Sequence, residues 1–556
     1  MKTRLLPLLV VAAVFVLCQW AVQPSVSLNA TPTELTQADA ELPTVVAQID
    51  GHFEDLWKRH ELTPAQPADE LLLLRRLALS LMGTIPSLEE IRQFELDDQP
   101  ERIERWTQRY LDDPRFADYF AERLARCFVG VDGGQFIVFR RDRFVSWLSD
   151  QLEANTPYDQ IVRQLIASKG LWTGEPQTNF ITAAVANQDL DENKLASRSV
   201  RAFLGQSMDC AQCHDHPFDA NWKQHHFEGV AAQFGQVEQS GLGVYDKASK
   251  MYKVQDLAAL EEAEDEPEEI PMREVTVAVP FGKEWVPAEG TTREKFAQWM
   301  THPENRRFER AIANRVWGLM FGRAHITPVD DMPNPSEVVA DQDVLDLLGN
   351  DFREHNYDLK RMITTIASLK PFRLKSVVEA GNDSTADVSY EEKIALLDES
   401  WGLFPMTRLR PEQIIGSMLQ ASSIQTIDQN SHLFTRFRRF TNERDFVNEY
   451  GDLGDQELVE QTGTIPQALL RMNSNMTRGA VESGFMSACG RIANLSTTNE
   501  EALEAAYFVC LTRKPAPEER SHFLERLGDH TDDRRNPIIE DIFWTLFNSP
   551  EFSWNH

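Results

Sequence analysis

The chain has 556 residues, with 87 acidic against 56 basic side chains and a formal net charge of −31. That excess argues against nucleic acid or an anionic membrane surface as a partner, since both repel it. A hydrophobic content of 42% with 26% charged residues fits a globular chain, and its length allows about two to four domains around a large core.

The first residues read as an export signal, residues 1–22. Lys2 and Arg4 precede an apolar run from Leu5 to Cys18, broken only by Pro7, and a polar stretch starts at Gln23. The run is shorter than the ~20 residues of a spanning helix, so a cleaved signal is favoured over an uncleaved anchor. A lipid anchor at Cys18 is disfavoured because Leu17 is a poor fit before a processed cysteine. No later segment is apolar enough to span a bilayer, and the protein is expected outside the cytoplasm, periplasmic or secreted.

Residues 23–45 read as a flexible lead-in. Helical spacing covers Val46 to His60. Asp69 then caps a strong helix with Leu71, Leu74, Leu77, Ala78 and Leu81 on one face and Arg75 and Arg76 on the other. Gly83 to Pro86 ends it, and Ser87 with Glu90 forms a capping box for the next. Helical periodicity recurs over Ile103–Tyr110, Phe116–Phe128, Phe144–Ala154 and Tyr158–Ser168, where Ile161, Val162, Leu165 and Ile166 make an apolar face. A helix over Leu195–Gly205 delivers the chain to its most distinctive stretch.

That stretch holds Cys210, Cys213, His214, Asp215, His216 and Asp219. Cys-x-x-Cys-His is the attachment pattern of c-type haem: two thiols a turn apart form thioethers, and the next imidazole becomes an axial ligand. The sixth-ligand candidates within sequence reach are His216, His225, His226, Met208 and Met251. The same residues suit a non-haem ion, zinc or iron, with Cys210, Cys213, His214 or His216 as ligands and Asp215 and Asp219 nearby. A plain disulfide or redox pair is the third reading. Export strengthens the haem reading, because covalent haem attachment takes place outside the cytosol. Cys127, Cys489 and Cys510 read as buried apolar thiols, with a Cys489–Cys510 bridge left open.

One more helix spans Phe227–Gln236. Residues 237–290 form an acidic, irregular insert, with a run at Glu261–Glu269 and an alternating segment Glu274–Val279 that suggests a small sheet or hairpin. Helices resume at Arg293–Met300, Phe308–Phe321, Val344–Glu354 and Leu359–Leu369. Residues 381–392 read as a loop, and a helix starts at Arg410 through Pro411 and runs to about Ser422. Aromatic and basic residues cluster at Phe434, Arg436, Phe437, Arg438, Arg439 and Phe440. Three helices close the chain: Pro466–Met472, Pro517–Leu527 and Pro537–Phe547, the last with Asn536 at its N-cap. The fold class is mainly α: a multi-helical array in two domains with a short irregular β insert between them.

Several blocks carry a family resemblance. Asp69 to Glu90, Asn155 to Arg163 and Cys210 to Asp219 resemble, in order, blocks of the planctomycete-specific cytochrome-like domain of unknown function. Ala313 to Arg323, Gly463 to Ser474 and Leu546 to Phe552 are similar to the partner domain that follows it in these exported proteins. The resemblance implies a cytochrome-like domain over 46–236 and a partner domain over 291–556. Its cytochrome label rests on the Cys-x-x-Cys-His pattern itself. Two blocks depart from the family: Asp341 to Asp346 stands where His-Pro-Glu-Leu-Leu-Asp is usual, so that histidine is absent, and Pro371 to Ser376 replaces a Tyr-Arg-Gln-Ser ending.

The sequence therefore predicts an exported cytochrome-like protein that holds one c-type haem for electron transfer or redox chemistry in the cell envelope, with an unidentified redox or envelope partner. The alternative is a non-haem metal protein, either a hydrolase linked to polysaccharide breakdown or an assembly protein whose Cys/His site pins its helices. No nucleophile elbow, P-loop or His-Glu-x-x-His occurs.

Overall fold

The computed structural model describes residues 37–133, 139–186, 189–215, 222–256, 259, 270–333, 343–378, 390–429, 431, 445–454, 458, 463–484, 487–530 and 534–556. It is mainly α-helical in two domain regions, and its described strands are short antiparallel pairs. No described helix is long and apolar enough to cross a membrane. The signal at 1–22, the acidic run Glu261–Glu269 and the cluster from Phe434 to Phe440 lie outside the described residues.

The first helix, α1 (Gln37–Arg59), starts before the expected Val46, because Ala38 to Leu42 are good helix formers. Next comes α2 (Glu70–Met82). Asp69 caps it by accepting from the Leu72 amide at 3.0 Å, and Gly83 ends it at φ 64°. A Cβ on Gly83 would lie 2.3 Å from the Tyr119 ring, so only glycine fits both the turn and the contact. The Ser87–Glu90 capping box then opens α3 (Leu88–Leu96), with both reciprocal bonds present at 2.8 and 3.1 Å.

The expected solvent side of α2 is not solvated. Arg75 and Arg76 are both buried. Arg76 donates to the carbonyls of Phe372 (2.8 Å), Leu374 (2.7 Å) and His556 (2.8 Å), and lies 3.7 Å over the Phe404 ring. Arg75 donates to the Cys510 carbonyl at 3.1 Å. Burial pushes Arg76 down to about 9, still charged at neutral pH. A helix sequestered on every side is a central helix, and its polar residues must find backbone partners.

Against α2 pack α4 (Arg102–Leu111) and α5 (Pro114–Val129); α6 (Arg141–Glu153), α7 (Tyr158–Ala167), α8 (Glu192–Leu204) and α9 (Gln224–Ala231) complete the first region. In the second region come α10 (Thr292–Met300), α11 (Arg306–Phe321), α12 (Val344–Glu354), α13 (Leu359–Ser368), α14 (Tyr390–Glu399) and α15 (Pro411–Ala421). Then follow α16 (Ile465–Asn473), α17 (Asn475–Val481), α18 (Ala488–Leu495), α19 (Asn499–Leu511), α20 (Pro517–Leu527) and α21 (Arg535–Asn548).

The two regions share one continuous hydrophobic cluster. Ser80 of α2 donates to the Met320 carbonyl of α11 at 2.8 Å, and Trp57 of α1 to the Ser400 carbonyl at 2.9 Å. The fully buried Arg293 of α10 holds the Ile166 and Ser168 carbonyls at the C-terminal end of α7. Trp317 of α11 sits at the aromatic centre, stacked on Phe321 at 4.5 Å and edge-on to Trp401 at 5.1 Å.

The insert holds two hairpins, β3 (Val237–Ser240) with β4 (Gly243–Asp246) and β5 (Lys253–Gln255) with β6 (Met272–Glu274), after a minor pair β1 (Val185–Ala186) and β2 (Asp189–Leu190). The alternation at Glu274–Val279 has another cause than a strand ladder. Beyond Glu274 the chain leaves the ladder, and Val275 and Val279 face the core while Val277 is exposed.

Two corrections concern the C-terminal part. α21 begins at Arg535, so Arg534, not Asn536, is its N-cap. The buried Arg535 side chain donates to the Ala493 and Ser496 carbonyls and fixes that first turn. The helix α19 was absent from the periodicity reading. It is apolar nearly all round, so it shows no amphipathic period. A last pair, β7 (Thr407–Arg408) with β8 (Trp554–Asn555), ties the C-terminal residues to the end of α11 through Gly322 and Thr407.

Candidate functional site

The Cys motif is held at the end of α8. Asp191 caps that helix, and Gly205 ends it at φ 61° with Met332 packed where a Cβ would stand. The next residue, Gln206, is pinned to Asp331: its side chain donates to Asp331 Oδ1 at 2.6 Å, and the Met332 amide donates to the Gly205 carbonyl at 2.9 Å. The chain then makes a 3₁₀ turn at Asp209–Gln212, and Ser197 of α8 donates to the Asp209 carboxylate.

This turn sorts its side chains. Met208 and Ala211 are fully buried, while Cys210, Gln212, Cys213 and His214 are exposed. The amides of Cys213 and His214 both approach the Cys210 carbonyl at 3.4 Å, so the two thiols stand one turn apart on the solvent side. His214 Nδ1 lies 2.7 Å from the Asp215 carbonyl oxygen. A carbonyl only accepts, so Nδ1 donates, and in the neutral ring Nε2 then keeps the lone pair that can ligate a metal.

The first turn of α9 lies alongside. The Gln224 amide donates to Asp215 Oδ1 at 3.0 Å, and its side chain reaches the Gln212 carbonyl at 3.4 Å. Asp215 therefore caps a helix. His225 and His226 follow, with ring centroids 4.2 Å apart. His226 Nδ1 accepts from the Lys223 amide at 3.3 Å.

Of the predicted site residues, Cys210, Cys213, His214 and Asp215 follow one another along the exposed turn, and the helix bearing His225 and His226 starts beside it. Met208 faces the core beneath them, and Met251 is exposed just ahead of β5. His216 and Asp219 lie outside the described residues. Among the described residues no three His, Cys, Asp or Glu side chains are grouped to hold a metal by themselves. The donor set nonetheless fits a haem attached by thioethers, which needs two accessible thiols and one imidazole with a free Nε2.

The remaining described cysteines are inert by position. Cys127, Cys489 and Cys510 are buried, and the bridge left open between the last two is not formed. Burial pushes the Cys489 thiol up to about 12.

Sequence reasoning missed a second polar cluster, between α11 and α12. Arg310 is fully buried and donates to Asp343 at 2.8 Å, with Asp346 at 2.8 Å on its other nitrogen. Arg353 grips the buried Glu309 through two bonds of 2.7 and 2.5 Å. Asp343 and Asp346 come from the block that departs from the family pattern, and Asp343 also caps α12 by accepting from the Leu345 amide at 2.8 Å. The available signal was an N-cap aspartate ahead of the apolar run Val344–Leu345.

Residues 48–239 match the family model PSCyt2, described as a protein of unknown function (DUF1549), and residues 292–527 match PSD1, described as a protein of unknown function (DUF1553). Neither the curated proteins nor the solved structures contain a match to the chain. The two models match in tandem and together cover the helical regions on both sides of the insert. The chain belongs to the family in which the planctomycete cytochrome-like domain is followed by its partner domain, each of unknown function.

Proposed function

We propose that this is an extracytoplasmic cytochrome-like protein that carries one c-type haem on Cys210, Cys213 and His214 and uses it for electron transfer. The observation that carries this reading is the Asp209–Gln212 turn, which presents two exposed thiols one turn apart beside an imidazole with its Nε2 lone pair free. Each S–H would add across one vinyl C=C, forming a thioether without consuming an oxidant. His214 would offer Nε2 to the iron, oriented by the Asp215 carbonyl, and His225 and His226 in the first turn of α9 are the candidates for a further donor. Haem supplies a one-electron Fe(III)/Fe(II) couple. The net charge of −31 favours a cationic face on the redox partner.

A second reading takes the same two exposed thiols as ligands of a bare ion. In it Cys210, Cys213, His214 and His216 hold zinc or iron, with Asp215 and Asp219 close by. The protein is then a hydrolase linked to polysaccharide breakdown or an assembly protein.

The test is a visible spectrum of protein exported from a host with haem-attachment machinery, repeated after acid–acetone extraction. A Soret band that survives extraction and disappears in Cys210→Ser plus Cys213→Ser is the expected result. A colourless protein refutes the haem reading, and stoichiometric zinc or iron in that sample establishes the second.

A further inference from the structure

Beside the β7–β8 pair lies a cavity of about 200 Å³. Three arginines reach it: Arg323, Arg408 and Arg410. Two are answered by carboxylates. Arg323 Nη1 lies 2.5 Å from Asp398, and Arg410 Nε lies 3.1 Å from the buried Glu412. Arg408 is different. Among the described residues its guanidinium donates one hydrogen bond, from Nη2 to the Tyr450 hydroxyl at 2.8 Å, and no carboxylate pairs with it.

A second arginine stands close by. Arg471 of α16 has a buried Nε with no partner among the described residues. Burial lowers its proton affinity, and the charge of Arg408 lowers it further. In a chain with 87 acidic and 56 basic residues, two neighbouring arginines with no carboxylate partner among the described residues are conspicuous. A partly desolvated guanidinium with unmet donors costs free energy unless something supplies the missing charge. The backbone is also shaped around this group. A Cβ on Gly463 would come 2.0 Å from Arg408 Nη1, so the bare glycine is what lets the guanidinium lie there.

We propose that this cavity binds a small oxyanion, with Arg408 as its forked donor and Arg471, which does not line the cavity, as a neighbouring positive charge. The planar guanidinium offers paired N–H groups that match a carboxylate, sulfate or phosphate group. The cavity is smaller than the ~300–1,000 Å³ of pockets for drug-sized ligands, so the ligand is a small acid. Tyr450, Leu458 and Trp554 give it an aromatic and aliphatic wall. That wall suits an apolar body behind the acid group, which favours a small organic carboxylate over an inorganic ion. The site stands far along the chain from the Cys motif and does not depend on what that motif carries.

The test is isothermal titration of the full chain at constant ionic strength with benzoate, acetate, sulfate and phosphate. Benzoate is expected to bind at one site, with a loss of roughly ten-fold or more in Arg408→Gln and a similar loss in Gly463→Ala, which displaces the guanidinium without removing it. Arg408→Lys keeps the charge but not the fork, and is expected to fall between. Binding of sulfate or phosphate alone, with the same dependence on Arg408, assigns the site to tetrahedral oxyanions. If Arg408→Gln does not fold, Arg408→Lys and Gly463→Ala carry the test. Failure of all four probes to bind, or binding unchanged in these variants, overturns the proposal.

Discussion

Replacing Glu412 with glutamine tests the contact that joins the two matched regions. Arg123 of α5 donates to Glu412 Oε1, and Arg410 Nε lies 3.1 Å from the same oxygen. Arg123 falls in the region matched by PSCyt2 and Glu412 in that matched by PSD1. The side chains are 2% and 8% exposed. Burial alone would raise the Glu412 carboxyl; Arg123, Arg410 and Arg126 outweigh it and hold the group below its ordinary value. Glu412→Gln keeps the shape and removes the charge, which takes a buried carboxylate away from both Arg123 and Arg410. Breaking a buried pair in this way costs about 3–5 kcal/mol, a large share of the ~5–15 kcal/mol that holds a domain folded. The assay is urea unfolding of the full chain followed by tryptophan fluorescence. The sign of the pH effect follows from the depressed carboxyl: its contribution is fully present above the unfolded value near 4.5 and is lost as pH falls through the folded one. The wild type should therefore lose stability in acid more steeply than the variant. The double variant Arg123→Met with Glu412→Leu removes both charges and should cost less than the two single changes summed. A Glu412→Gln cost below about 1 kcal/mol, or a double variant at least as unstable as that sum, would refute the reasoning.

Three further outcomes are expected. Burial pushes the Glu309 carboxyl up to about 7 against the opposing pull of Arg353. Its contribution is then present below the unfolded value of 4.5 and lost as pH rises through 7, roughly 3 kcal/mol in all, so unfolding free energies at pH 5 and pH 8 should differ less in Glu309→Gln than in the wild type. Gly416→Ala should destabilise by about 1–3 kcal/mol, measured by denaturant midpoint, because a Cβ there would stand 2.6 Å from the Gly83 carbonyl oxygen. In metal- and haem-free protein under native conditions, a thiol reagent should modify Cys210 and Cys213 well before Cys127, Cys489 or Cys510; early labelling of Cys489 would contradict its burial.

Much of the helical array was legible because its punctuation is local. The Ser87–Glu90 box, the Asp69 cap and the Pro517 start are encoded within four residues of the helix they begin. The face of Ile161, Val162, Leu165 and Ile166 also follows its period into the core. What escaped was set by distant partners. Nothing near Arg75 or Arg76 announces that both will be buried, since the carbonyls they bind come from residues 372, 374, 510 and 556. The helix Asn499–Leu511 was hidden by being apolar on nearly every side. The Cys210–Cys213–His214 spacing announced a site, but spacing does not say that the turn faces solvent or that Asp215 caps α9. Arg408, with no carboxylate partner among the described residues, was invisible for the same reason as Arg76: what an arginine pairs with is a property of three-dimensional neighbours.

The placement of Arg75 and Arg76 bears on how a ribosome delivers this molecule. Helix α2 emerges early in synthesis, yet every carbonyl that holds its two arginines is made after residue 239. Until those residues arrive, the nascent helix carries two guanidiniums on faces that later become core, and the charges keep it hydrated rather than sticky. A gene fragment cut after the PSCyt2 region would freeze the chain at that stage. The cytochrome-like segment is thus not a portable module, and grafting it elsewhere would require carrying its partner along.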